Sequence, residues 1–205
     1  MWLVLILVLG VAAVVLSLDV GSGTTTSSVS PSSPPSTSEH SVTVPTTATG
    51  GATWTDPQVT ITARSLGAVQ VGMTLGQAQT AAGLTFDGAG DGMYYPTSLA
   101  DHLYVGLLSG PTVSCVGASQ SQSAESQQTV ATPEGFRLGG SVASLLTIYG
   151  SHAVYVPAHA GIQPVAGYIV AENGGNLFFY VYPNSATVIQ IAGGPNVSDG
   201  NSCSG

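Results

Sequence analysis

The sequence predicts an α+β protein made of tandem modules, each a short helical segment packed on an antiparallel β-sheet. Three features predict it. A strand-turn-helix phrase occupies residues 66–83, a degenerate copy occupies 136–150, and each is followed by short runs in which apolar and polar residues alternate.

The first phrase reads LGAVQVGMTLGQAQTAAG. Val69 and Val71 alternate with Gln70 and Gly72, as in a half-buried strand. Thr74 and Gln77 stand at capping-box spacing, where the hydroxyl accepts from an orphan helix N–H and the glutamine answers back to the cap. Leu75, Ala78, Ala81 and Ala82 give the helix one apolar side, and Gly83 is placed to end it in the left-handed conformation. A helix this short and alanine-rich does not stand alone; it needs a sheet to lie on.

The second phrase reads FRLGGSVASLLTIYG. Gly72 corresponds to Gly139, Thr74 to Ser141, Ala78 to Leu145 and Gly83 to Gly150, at a constant offset. Phe136 and Leu138 take the places of Val69 and Val71. Ser141 and Ser144 repeat the cap positions, with serine a poorer reciprocal partner than glutamine. Units this small bury little surface each, so the two share a core or pack tightly in tandem.

Composition bounds the setting. The chain has 205 residues, ten acidic side chains against two basic ones (Arg64 and Arg137), no lysine, and a formal charge of −8. So little positive charge argues against nucleic acid and anionic lipid surfaces as partners. Charged residues are only 6% of the chain, so solubility rests on Ser, Thr, Gln, Asn and backbone, a balance suited to an exported protein. Trp2 to Leu18 is almost unbroken apolar sequence, at the short edge of a membrane span and longer than a typical signal core. Residues 1–20 are accordingly expected to be a signal peptide or an N-terminal membrane anchor, with a buried core helix as the third reading. No Lys or Arg precedes the run, and no cysteine follows it closely enough for lipid attachment. Val20 and Ser22 offer a small-residue cleavage site.

Residues 21–51, dense in Ser, Thr and Pro around SSPPSTS, are expected to be a disordered linker. His40 falls within it and has no assigned role. The first α+β module is expected over 52–129 and the second over 130–205. Val59 to Thr62, Met93 to Tyr95, Leu103 to Leu108 and Thr112 to Val116 read as strands of the first. Gly88 to Gly92, with Asp87 and Asp91 beside it, reads as a turn; the oxygen ladder of a calcium loop is absent. Ala118 to Thr129 reads as a polar connector. After the second helix come a loop with His152 and His159, then strands from Gly167 to Ala171, Asn176 to Tyr182 and Thr187 to Ala192. The turn between the first two of these is Glu172 to Gly175. Each half thus spells a helix followed by about three strands.

The V-x-V-G-M-T helix start, its copy F-x-L-G-G-S, the helix end LLTIYG and the near-terminal Cys203 resemble secreted or lipid-anchored envelope proteins of actinobacteria. More distantly they resemble the small modules of the beta-lactamase inhibitory protein and of the outer-membrane assembly lipoprotein BamE. The resemblance covers about Ile61 to Cys203. It implies short helices packed on an antiparallel sheet, with two such units in tandem in the inhibitory protein. It also implies recognition of a protein through a sheet face and an acidic loop residue, for which Asp91 lies in a comparable region. The chain departs from that pattern in having one cysteine per half.

Cys115 and Cys203 are the only cysteines. An even pair in an exported chain reads first as a disulfide; two free buried thiols, or a metal-binding or catalytic thiol, are the alternatives. A catalytic Cys115 would need a base, and His102 is the nearest candidate in sequence. His152 and His159 flank Tyr155 without further ligands at zinc spacing, so no metal or cofactor is expected. Tyr94, Tyr95, Tyr104, Tyr180 and Tyr182, with Asp91, form the candidate binding face, because tyrosine supplies rigid contact area with a polar tip. Between Leu177 and Val181, Phe178 and Tyr180 fall on one face and Leu177, Phe179 and Val181 on the other. One face must be core, and the second is either covered or exposed for binding.

The functional expectation is a non-enzymatic extracytoplasmic domain on a flexible stalk that binds another extracellular or envelope protein, or braces the envelope. An uncleaved N-terminal segment would add the membrane as a partner. The rivals are an extracellular hydrolase or thiol enzyme using His102 and Cys115, a protease- or beta-lactamase-type inhibitor, and a carbohydrate binder.

Overall fold

The computed structural model describes residues 51–98, 103–108, 110–120, 128–158, 166–181 and 185–198, together with Cys203. The apolar N-terminal run and the Ser/Thr/Pro segment lie outside the described residues, as do His40, His102, His159 and Tyr182.

Two helices of eight residues begin in the same way. For α1 (Leu75–Ala82), Thr74 is extended at the N-cap; its hydroxyl accepts from the Gln77 N–H at 3.3 Å. Gln77 Oε1 in turn accepts from the Thr74 N–H at 2.9 Å, closing a full capping box. Gly83, at φ 73°, ends α1 in the left-handed conformation that glycine reaches without strain. For α2 (Val142–Tyr149), Ser141 accepts from the Ser144 N–H at 3.1 Å. The Ser144 hydroxyl lies 2.9 Å from that of Ser141, so half of the box is made. Gly150 does not repeat Gly83. At φ 55° and ψ −129° it lies outside the left-handed helical region, and the chain continues through a 3-10 turn, Gly150–His152.

The strands are β1 (Gln58–Thr60), β2 (Ser65–Leu66), β3 (Val69–Gln70), β4 (Phe86–Gly88), β5 (Met93–Pro96) and β6 (Leu103–Gly106). They continue with β7 (Cys115–Ser119), β8 (Thr129–Ala131), β9 (Ala153–Val156), β10 (Ala166–Glu172), β11 (Gly175–Val181) and β12 (Val188–Gly194). Eight of them form one antiparallel sheet in the order β4-β5-β6-β7-β12-β11-β10-β9. The fold is therefore mixed α+β, with helices packed against an antiparallel sheet. The sheet is continuous through the β7–β12 pairing, where Gln190 faces Ser119 and Ala192 faces Gly117. β1 and β8 make a short parallel pair, and β2 and β3 a short hairpin.

Three expectations need correction. Four strands of the eight-stranded sheet follow each helix, because both sheet edges, β4 and β9, escape the alternation pattern. Each is held on one side only among the described residues; β4 is also short and runs into a glycine turn, and β9 leaves Val154 and Tyr155 exposed. Ala118 to Thr129 is not wholly connector: Ala118 and Ser119 complete β7, and Thr129 starts β8. The loop expected around His152 begins instead with that 3-10 turn and β9.

The sheet has two buried faces. On one, Phe86, Leu103, Val105, Val116, Leu177, Phe179 and Ile191 pack with Ala78, Ala82, Leu145 and Tyr149 of the helices. Trp54 fills this core, stacked on Phe86 at 5.1 Å, with its indole N–H donating to the Leu66 carbonyl at 2.8 Å. On the other face, Met93, Tyr104, Cys115, Phe178, Tyr180 and Ala192 pack with Val197 and Cys203 of the C-terminal tail.

The two halves dock their helix starts alike. Gly72 and Gly139 both have positive φ (95° and 86°). Gly72 donates to the Val113 carbonyl and Val113 to that of Met73; Gly139 donates to the Val188 carbonyl and Val188 to that of Gly140. The cap residues Thr74 and Ser141 form β-bridges to Thr112 and Thr187. Each helix start is thus bonded to the strand segment that leads into β7 or β12.

Candidate binding cleft

Strand alternation and register decide which side chains meet. In β4–β5, Asp87 pairs with Tyr95 and Phe86 with Pro96. Phe86 and Tyr94 point to the helix-covered core, so Asp87 and Tyr95 point to the opposite face. Thr97, two residues beyond Tyr95, falls on the same side. In β7, Val116 and Ala118 belong to the helix-side core, which turns Gly117 and Ser119 to the far face. An open cleft of about 610 Å³ lies here, lined by Asp87, Gly88, Ala89, Tyr95, Pro96, Thr97 and Ser119.

One wall is set by aromatic packing. Tyr95 and Tyr104 have ring centroids 5.9 Å apart, and Tyr104 lies across Gly117, where a Cβ would come within 2.1 Å of the phenol Cζ. The Tyr104 hydroxyl accepts from Gln190 Nε2, across β7 from its own strand. Burial, reinforced by neighbouring Tyr180 and opposed by the Gln190 bond, pushes the Tyr104 phenol far above the ordinary tyrosine range. It is a neutral pillar behind Tyr95.

The tyrosines do not form one exposed face. Tyr104 is 2% exposed and Tyr180 5%, so both are core on the second face of the sheet. Tyr94 and Tyr95 are half-buried and point to opposite faces. Tyr182 lies outside the described residues. Phe178 and Tyr180 pack edge to face at 4.6 Å, with Phe178 over Gly167. The second face of β11 is therefore covered where sequence left cover and binding both open. Asp91 is exposed, but its carboxylate accepts from the Met93 N–H at 3.0 Å and shapes the turn.

Cys115 and Cys203 form a disulfide with Cα atoms 5.8 Å apart. It pins the tail to β7 beside Gly106, where a Cβ would meet Cys115 Sγ and the Cys203 carbonyl. This overturns the thiol-enzyme alternative, since Cys115 has no free thiolate to pair with His102. His152 is exposed, and among the described residues no group of three His, Cys, Asp or Glu could hold a metal ion.

A second polar cluster ties the N-terminal arm to the far hairpin. Glu172 Oε2 accepts from the Ala63 N–H at 2.7 Å, while its buried Oε1 has no hydrogen-bond partner. Burial raises the Glu172 carboxyl above its ordinary range, the Ala63 bond lowers it, and Glu134 raises it again. The Tyr149 hydroxyl donates to Glu134 Oε2 at 2.8 Å and lies 2.7 Å from Thr132 Oγ1. Burial likewise drives the Tyr149 phenol upward. This cluster lies at the edge of the helix-side core, where Tyr149 packs on Phe179.

Sequence reasoning placed Asp87 in a turn and gave Ser119 no role. Strict alternation from Phe86 would have assigned Asp87 to the far face, but the partner strand carrying Ser119 comes from register that sequence does not show. No helix among the described residues is long and apolar enough to cross a membrane. Compared with protein-family models, curated proteins and solved structures, the chain matches none.

Proposed function

We propose that the chain is a non-enzymatic extracytoplasmic domain that binds another extracellular or envelope protein, held on a flexible stalk by a signal-derived or membrane-anchored N-terminus. The cleft carries this reading. It offers a carboxylate, hydroxyl groups and an aromatic wall on a rigid sheet, the groups by which a protein surface recognises a partner. The disulfide supports an oxidising compartment, in keeping with the apolar run and the Ser/Thr/Pro segment.

We further propose that the two halves are repeats of one small module, of the kind found in the beta-lactamase inhibitory protein and BamE. Supporting this, each half runs from a capped helix through four strands of the sheet, the last being β7 or β12, and these two pair with each other. The matched glycine and cap bridges support the same relation.

The test is a crosslinking pull-down from the native organism's envelope and culture fluid, using the oxidised full-length chain. One dominant protein partner, lost when residues of the cleft are changed, is the expected result. A mobile exported protein that captures no partner and instead turns over a wall or sugar substrate would sink the reading.

A further inference from the structure

We infer that the cleft takes a cationic side chain, arginine or lysine, presented by an extended segment of a protein partner. The inference rests on the protein-binding reading above and names the chemistry of what is bound.

Several observations converge. Asp87 is exposed, and among the described residues its carboxylate makes no hydrogen bond and no ion pair. Its cross-strand partner is Tyr95, whose ring shares the cleft. A carboxylate beside an aromatic face suits a cation, which gains both charge pairing and the negative face of the ring. Tyr95 is backed by buried Tyr104, itself held by Gln190, so the ring is set before anything binds.

Among the described residues no cationic side chain pairs with Asp87. The chain has two arginines and no lysine. Arg64 lies over Gly174 at the β10–β11 turn, where it reaches the Gly174 carbonyl; exposed Arg137, bridged to Ala131 through its backbone, makes no ion pair with Asp87. With a formal charge of −8, the molecule also draws cationic partners toward it from a distance. Finally, β4 is the sheet's outermost strand, with no strand on its other side among the described residues. An extended segment laid along that edge would send alternate side chains toward Asp87, the recognition mode in which backbone pairing holds the peptide and a pocket reads one residue. Thr97 and Ser119 supply hydroxyls at the rim.

The experiment compares two fluorescent pentapeptide pools with randomised flanks, identical except for arginine or its neutral analogue citrulline at the centre. Binding to the oxidised full-length chain in non-ionic detergent is read by anisotropy. The arginine pool is expected to bind about tenfold more tightly, a difference of about 1.4 kcal/mol. Asp87→Asn should erase that preference, whereas Glu134→Gln, which removes the same charge from the helix-side cluster, should keep it. Thermal melts of both variants confirm folding. Equal binding of the two pools, no saturable binding of either, equal loss in both variants, or chitotriose competing for the same site would each overturn the inference. If a captured protein partner is held equally well by Asp87→Asn, the cationic cleft falls while the binding-module reading stands.

Discussion

Glu172 is the side chain whose burial works against it. One carboxylate oxygen is satisfied by Ala63, the other is buried without a partner, and Glu134 stands nearby. Its folded-state pKa lies above the unfolded value, so folding favours the protonated form. The stability it contributes is fully present below the unfolded carboxyl range, about pH 4, and is lost as pH rises through the folded value. Glu172→Gln keeps an oxygen for Ala63 and removes the buried charge. Its melting temperature at pH 7 should exceed that of the wild type, and the difference should shrink toward pH 4; a variant less stable at both pH values would refute this. Gly117 makes the opposite case, where a missing atom is the useful feature. Tyr104 occupies the space a Cβ would need, and the ring is core that cannot swing into solvent. Gly117→Ala should destabilise by about 1–3 kcal/mol in urea unfolding, the usual cost of overpacking.

At the scale of elements, the two caps form a natural comparison. Thr74 makes the reciprocal box with Gln77, while Ser141 makes only the forward bond. Thr74→Ala should cost about 1 kcal/mol and Ser141→Ala less, since one fewer backbone donor loses its partner. Equal costs, measured by the same urea unfolding, would mean that bridging to Thr112 and Thr187 outweighs the caps. These starts were legible because a cap needs only residue types at a fixed spacing, and Gly83 closes α1 by the same local logic. The end of α2 was not legible in that way. Gly150 carries the same residue type as Gly83, yet the chain tightens into a 3-10 turn that leads into β9. Edge strands were also hidden: Ala153 to Val156 shows Val154 and Tyr155 more than half exposed, so burial leaves no alternating signature there.

For the whole molecule, the disulfide is the longest-range covalent constraint, closing a separation of 88 residues. Loop closure of that length stabilises by about 4–5 kcal/mol through the unfolded state. The Cys115→Ala/Cys203→Ala double variant should therefore unfold at much lower urea concentration, with the wild type under reductant following it. A loss below about 1 kcal/mol would mean that the tail packs through Val197 without needing the bond.

Local chemistry in the sequence was enough for the helices, their starts, most strands and the two-part rhythm of glycine, cap and apolar run. These features depend on neighbours within one turn or one strand, so residue type and spacing carry them. The joining of β7 to β12, the choice of which of Tyr94 and Tyr95 faces the helices, and the meeting of Asp87 with Tyr95 and Ser119 came from the folded sheet. Pairing between distant strands is set by the sum of many backbone bonds and packed side chains. A one-residue change of register reverses every face, and no short stretch of the chain encodes that choice.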